Sequence, residues 1–196
     1  MKYYQIQNNV LSDRYLNKLW NKVSSHAYFS VNNLNRDFVK TKGFSVVFRR
    51  DGLPIVEQKF PFFKPYLDLA IQPDCNAFYL NPILLEEGSR IDPHIDRSLR
   101  SYYKTIDPPF LVSVLYVRIP ENMIGGELIL KSAKRHVAKI TPQRNSLIYF
   151  QGDLIHAVNP VKTAGSRLSL VCEQYVLTTS EMEDIPLFTV ESRANL

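Results

Sequence analysis

Two histidines and an aspartate in this chain are spaced so that one metal ion could lie between them. His94 and Asp96 stand one residue apart at the end of a β-like run. Residues i and i+2 of a strand point to the same face, so an imidazole and a carboxylate are aimed into one space. His156 opens another β-like run after Gln151-Gly152-Asp153 and would supply the third ligand. Two imidazoles and a carboxylate on one side of a first-row divalent ion form a facial triad and leave three positions open. An H-x-D alone is a weak signal, since a strand-end histidine and a turn aspartate would look the same. His26 and His136 read as ordinary surface or packing residues.

Eleven residues beyond His156 comes Arg167, followed by Ser169, inside the apolar run GSRLSLVCEQYVL. A guanidinium flanked by Leu168 and Leu170 needs an anionic partner, because burying it unpaired is costly. Its planar fork of donors suits a carboxylate, and Ser169 lies on the same strand face. The competing reading is an internal ion pair with Glu127 or Glu173.

Elements must hold these groups in place. Leu11, Tyr15, Leu16, Leu19, Trp20 and Val23 recur at helical spacing behind a candidate N-cap, Ser12, so the first 25 or so residues read as a helix with a packing face. Residues 26–42 read as a polar connection. GFSVVFRR (43–50) reads as a strand ended by Asp51-Gly52, and 54–70 as a buried connector with a helical turn or two. Short β-like runs follow at 76–86, 91–96, 111–119, 126–131, 135–141, 145–150, 155–161 and 166–177. This rhythm predicts a mainly β sandwich or barrel with peripheral helices, rather than alternating βαβ units. The expected organisation is a single domain over 1–196: support in 1–70, a β core in 76–177, and a tail in 178–196 that is either an interaction segment or a docked terminus.

With 45% hydrophobic residues, 11 Tyr and 11 Phe, the chain can bury a core and is not a disordered segment. The two cysteines form no framework. No secretory leader and no apolar run of roughly 18–20 residues is seen, so a cytoplasmic protein away from membranes is expected. The net charge of +5 is scattered, with no dense basic run, and nucleic acid is not an expected partner.

From about residue 78 to 177 the chain resembles the 2-oxoglutarate and Fe(II)-dependent oxygenases, in particular their prolyl-hydroxylase-like branch. The likeness is carried by Gly88, PHID (93–96), LYV (115–117), GGEL (125–128), Pro142, LIYF (147–150), His156, NPV (159–161) and GSRLSL (165–170). The resemblance implies a double-stranded β-helix, that is, a cupin-like jelly-roll core. It implies iron held by His94, Asp96 and His156, and a 2-oxoglutarate carboxylate met by Arg167 with Ser169 and Tyr116. It implies O2 as second co-substrate, with ascorbate as a stimulant, and Gly125-Gly126 as a tight turn. Tyr116 reads equally well as a packing aromatic. The chain departs from the branch where a tyrosine is common, nine or ten residues before the first ligand; here stand Leu84 and Leu85, with Tyr79 nearby. Asp92 reads as a turn carboxylate ahead of Pro93, or else as a partner orienting a ligand.

The segment RSLRSYYKTIDPPF (97–110) lies where this fold class places a lid. Arg97 and Arg100 with Tyr102 and Tyr103 would suit a carboxylate-bearing substrate; a solvated loop is the alternative. The expected function is hydroxylation of an unactivated C–H bond in a small amino-acid-like or natural-product substrate, releasing succinate and CO2, with a peptidyl hydroxylase as the alternative. A cupin-like isomerase needs no buried arginine for a co-substrate, a non-catalytic binding protein has no reason to keep all four groups, and a halogenase would need the place that Asp96 fills.

Overall fold

The computed structural model describes residues 2–31 and 36–194. In chain order, strand β1 (Tyr4–Asn8) precedes helix α1 (Asp13–Ser24). Three two-residue strands, β2 (Ser30–Val31), β3 (Phe38–Val39) and β4 (Lys42–Gly43), lead to β5 (Ser45–Arg49) and then to helices α2 (Leu53–Lys59) and α3 (Lys64–Ala70). The central strands are β6 (Ala77–Leu85), β7 (Arg90–His94), β8 (Leu111–Arg118), β9 (Leu128–Ser132), β10 (Arg135–Ile140), β11 (Ser146–Gln151), β12 (Ile155–Val158) and β13 (Arg167–Tyr175). Helix α4 (Thr179–Glu183) and β14 (Phe188–Glu191) follow.

The strands make two sheets. The larger runs β1-β11-β8-β13-β6-β4-β2, with β5 between β6 and β14; the smaller runs β10-β9-β12-β7-β3. From β6 to β9 the chain alternates between large and small sheet, and from β10 to β13 it does so again in return, with antiparallel pairing throughout. This alternation is the double-stranded β-helix.

Covering both faces of the large sheet dictates its sequence. On β8, Val112, Val114 and Tyr116 turn inward, while Leu111, Leu115 and Val117 join a second core with the helices. The result is a nearly unbroken apolar run, LVSVLYVR, as expected of a strand buried on two sides. Helix α1 supplies Leu16, Leu19 and Val23, all fully buried, to that outer core. Its N-cap is Ser12, whose side chain accepts from the Tyr15 N–H at 3.3 Å.

The helical reading of the N-terminus is corrected at its start. Tyr4-Gln5-Ile6-Gln7 alternates with period two, and this segment is an edge strand on β11. The connector at 54–70 is more helical than its prolines suggest, because Pro54 and Pro65 sit in first turns, where a missing N–H costs nothing. Asp51-Gly52 does not close a hairpin but forms a 3-10 turn that runs into α2. Part of the 26–42 connection, residues 32–35, lies outside the described residues.

Gly152, in the turn before β12, packs against the chain ahead of β8: a β-carbon there would meet the Pro109 carbonyl oxygen at 1.8 Å. Gly152→Ala must therefore push backbone against backbone. It is expected to cost about 2–3 kcal/mol and to lower Tm by roughly 5–10 °C in a thermal melt.

Candidate metal centre and active site

His94 is the last residue of β7 and His156 the second of β12, and the two stand directly opposite each other in the antiparallel pair. Asp96 lies just past the strand end. One ligand atom from each of the three falls within 4.8 Å of the others. His94 Nε2 lies 3.1 Å from Asp96 Oδ1, and His156 Nε2 lies 3.3 Å from Asp96 Oδ2. Two ligands each ~2.1 Å from one ion and at right angles to it would be about 3 Å apart, so these spacings suit a single metal.

Both rings are oriented from behind. His94 Nδ1 is 2.8 Å from the Asp92 carbonyl oxygen and His156 Nδ1 is 3.1 Å from that of Leu154. A carbonyl only accepts, so each Nδ1 carries the proton and each Nε2 lone pair faces the centre. The part that Asp92 plays is thus taken by its backbone; its carboxylate pairs with Arg90 at 2.8 Å. Phe38 packs edge-on against His94 with centroids 5.1 Å apart, and Phe150 lies 5.0 Å from His156.

Asp96 is buried, and its Oδ2 has no hydrogen-bond partner. Burial alone would raise its pKa, but the two histidines outweigh this and hold it well below the usual carboxylate range. His94 is raised, since Asp96 overcomes the opposing effect of burial. A buried carboxylate with an unsatisfied oxygen, faced by two imidazole lone pairs, fits a divalent cation such as Fe(II).

The triad opens onto a cavity between the sheets. Arg167 and Ser169 from β13 and Tyr116 from β8 line its far wall, with Ser169 in register opposite Tyr116. Arg167 is 2% exposed, and its Nε and Nη1 have no partner. Its guanidinium lies 4.8 Å from the centroid of the Tyr116 ring, whose hydroxyl is also unpartnered. Burial depresses the Arg167 pKa and raises that of Tyr116. Both carboxylates weighed as internal partners are engaged elsewhere. Glu127 meets Lys139 at 3.0 Å and Asn159 at 3.0 Å, while Glu173 accepts from Ser98 and Tyr175. Three unsatisfied donors around one point fit a carboxylate such as that of 2-oxoglutarate.

Leu85 stands opposite Arg167 in the β6–β13 pair and offers no hydroxyl there. Tyr79 stands at the other end of that pair, opposite Glu173, and donates to Glu191 at 2.9 Å.

The segment after Asp96 is built into the protein. Leu99 and Ile106 are fully buried, Arg100 Nε donates to the Ile106 carbonyl at 2.8 Å, Tyr102 donates to Glu191, and Tyr103 packs on the same cluster. Arg97 is exposed. None of Arg97, Arg100, Tyr102 and Tyr103 lines the cavity. Two polar residues that do line it, Asn81 and Glu173, were not singled out for the site from the sequence. Glu173 shares strand parity with Arg167 and Ser169, and Asn81 interrupts the apolar run AFYLNPILL of β6.

Glu173 is 4% exposed. Burial, reinforced by the Asp96 charge, pushes its pKa from 4.5 up to about 8 despite donors from Ser98 and Tyr175. The folded state thus keeps a proton that the unfolded chain releases near pH 4.5. The stabilisation is complete below that pH and is lost as pH rises through about 8. Metal-free wild type should therefore lose stability relative to Glu173→Gln between pH 5 and 8.5. Thermal melts at both ends check this, and a pH-independent difference would contradict it.

Residues 78–172 match the family model described as the 2OG-Fe(II) oxygenase superfamily. No curated protein matches the chain in sequence. Among solved structures, a Pseudomonas putida prolyl-4-hydroxylase is similar with a TM-score of 0.59 at 14% identity, over 88% of this chain and 92% of that one. A Trichoplax adhaerens prolyl hydroxylase, solved with a hypoxia inducible factor oxygen degradation domain peptide fragment, has a TM-score of 0.61 at 17% identity, over 92% and 86%. A collagen prolyl hydroxylase of Paramecium bursaria Chlorella virus-1, solved with 2OG, has a TM-score of 0.54 at 17% identity, over 89% and 97%. At such identities the likeness is one of fold. Among the described residues no helix is long and apolar enough to cross a membrane.

Proposed function

We propose that this chain, whose residues 78–172 match the model of the 2OG-Fe(II) oxygenase superfamily, is such an oxygenase and hydroxylates an unactivated C–H bond in a small amino-acid-like or natural-product substrate. In this reading His94, Asp96 and His156 hold the iron, and Arg167, Ser169 and Tyr116 receive the far carboxylate of 2-oxoglutarate. The observation that carries it is Arg167, a buried cation with two unpartnered N–H groups in the cavity that the triad faces. A cupin-like isomerase would have no use for such a group.

When bound with its co-substrates, Fe(II) supplies the oxidative chemistry that splits 2-oxoglutarate into succinate and CO2 and oxidises the substrate. The residues supply geometry. The Asp92 and Leu154 carbonyls keep the Nε2 atoms of the two histidines unprotonated and inward. Arg167 fixes the co-substrate end-on with its planar fork, and Ser169 and Tyr116 add donors beside it. Ile83, Leu85, Ile91, Val114, Leu128 and Val158 keep the chamber apolar and exclude water.

Arg97, Arg100, Tyr102 and Tyr103 lie outside the cavity wall, so the substrate meets other residues, further in. Peptidyl hydroxylation is the second reading, favoured by the likeness to the Trichoplax enzyme solved with a peptide fragment.

The decisive assay is succinate release from 2-oxoglutarate with Fe(II) under air, first without added substrate. No succinate above a no-enzyme control would overturn the reading. Arg167→Lys keeps the charge but loses the fork, and should raise the apparent KM for 2-oxoglutarate by one to two orders of magnitude, roughly 1.4–2.8 kcal/mol. Arg167→Ala should raise it further. His94→Ala should abolish turnover and weaken Mn(II) binding measured by calorimetry by at least roughly tenfold.

A further inference from the structure

Along β13 the side chains that face the cavity are Arg167, Ser169, Val171 and Glu173. At ~3.3 Å per residue, the six-residue step from Arg167 to Glu173 covers roughly 20 Å, so these two charged groups mark opposite ends of one wall. The ends have opposite hydrogen-bonding demands. At the Arg167 end the unspent groups are Arg167 Nε and Nη1 and the Tyr116 hydroxyl. At the Glu173 end they are acceptors. Asn81 is 2% exposed; its Nδ2 donates to Ser45 Oγ at 2.7 Å, and its Oδ1 has no partner. Glu173 accepts from the Ser98 N–H and hydroxyl and from the Tyr175 hydroxyl. Once ionised, a carboxylate has about four acceptor sites, so these three donors leave one over.

Asn81 and Glu173 are diagonal neighbours on adjoining strands, since Asn81 stands opposite Val171 and Tyr79 opposite Glu173. Such neighbours lie roughly 7–8 Å apart, a gap that one small head group can bridge.

We infer that Asn81 and Glu173 form the recognition subsite for the primary substrate, and that the group they take is a protonated amine. An ammonium brings three donors and no acceptor, which answers both the open Asn81 oxygen and the spare site on Glu173. Burial keeps a proton on Glu173 while the chamber is empty. An ammonium beside it displaces that proton and compensates the carboxylate, which a neutral hydroxyl cannot do. Ile83 and Val171, between the two poles, provide an apolar stretch against which an aliphatic stem can lie. The inference rests on the reading of Arg167 as the co-substrate anchor, because that reading reserves the other pole for the substrate.

The test uses the whole chain loaded with Mn(II) and 2-oxoglutarate, and isothermal calorimetry. The probes are the free L-amino acids, putrescine and cadaverine, each beside its N-acetylated form. At least one free amine should bind, and its acetylated form should bind at least roughly 100-fold more weakly. Glu173→Gln and Asn81→Leu should each weaken the same amine by roughly 10–100-fold. Circular dichroism and a thermal melt establish that the variants fold. The comparison of free and acetylated amine on wild type needs no variant. If no free amine binds, if acetylation leaves affinity unchanged, or if both folded variants bind like wild type, the inference is wrong. Substrate-free succinate release by wild type reports separately on the oxygenase reading, so the two fail independently.

Discussion

A strand covered on both sides must divide its side chains strictly by parity, and the site is built on that constraint. Strand β13 sends Leu168, Leu170 and Cys172 into the helix-backed core and Arg167, Ser169 and Glu173 into the cavity. Strand β8 divides in the same way, which is why Tyr116 arrives beside Arg167. A slip of one residue in β13 would bury the guanidinium among leucines and turn leucines toward the triad, and one in β8 would take Tyr116 out of the cavity. Helices α1 to α3 touch no ligand, yet by covering the outer face they make such a slip prohibitively costly. The catalytic geometry is thus held chiefly by apolar packing on the far side of the sheet.

The cavity also shows how polar atoms can be left unsatisfied without weakening the case for a well-packed protein. Buried donors and acceptors are nearly always paired, and those that are not need an account. Here several of them, on Asp96, Tyr116, Arg167 and Asn81, face one chamber. Buried in this way, they have lost their water before any ligand arrives, so the cost of desolvation is already met. Binding then recovers it. This is preorganisation expressed in hydrogen-bond accounting.

Much of this was legible in the sequence, and for definable reasons. Most of the eight central strands are rich in apolar residues and bounded by turn residues, so their positions follow from pattern. The H-x-D spacing and the isolated arginine between leucines marked the cavity face. What the pattern hid was tertiary. Tyr4–Asn8 alternates with period two over only four residues, too short a pattern to outweigh the helix signal that follows, and the edge of β11 receives it as a strand. The arginines and tyrosines after Asp96 look like a binding loop because their types are suited to one. Only the fold shows Arg100 turned back to the Ile106 carbonyl and Tyr102 held by Glu191. Glu173 reads from the sequence only as a mate for Arg167; the extended strand instead sets the two at opposite ends of one wall.

Glu191 joins three parts of the chain. One carboxylate accepts from Tyr79 on the cavity wall and from Tyr102 in the loop after Asp96, across sequence separations of 112 and 89 residues. Contacts of such span form late in folding, because the long intervening loop must be closed before they return any energy. During synthesis, the strand that carries Tyr79 and the loop that carries Tyr102 must both wait for a segment translated long after them. The metal ligands all precede residue 160, so the order of the residues puts the triad on the growing chain well before the carboxylate that fastens this wall.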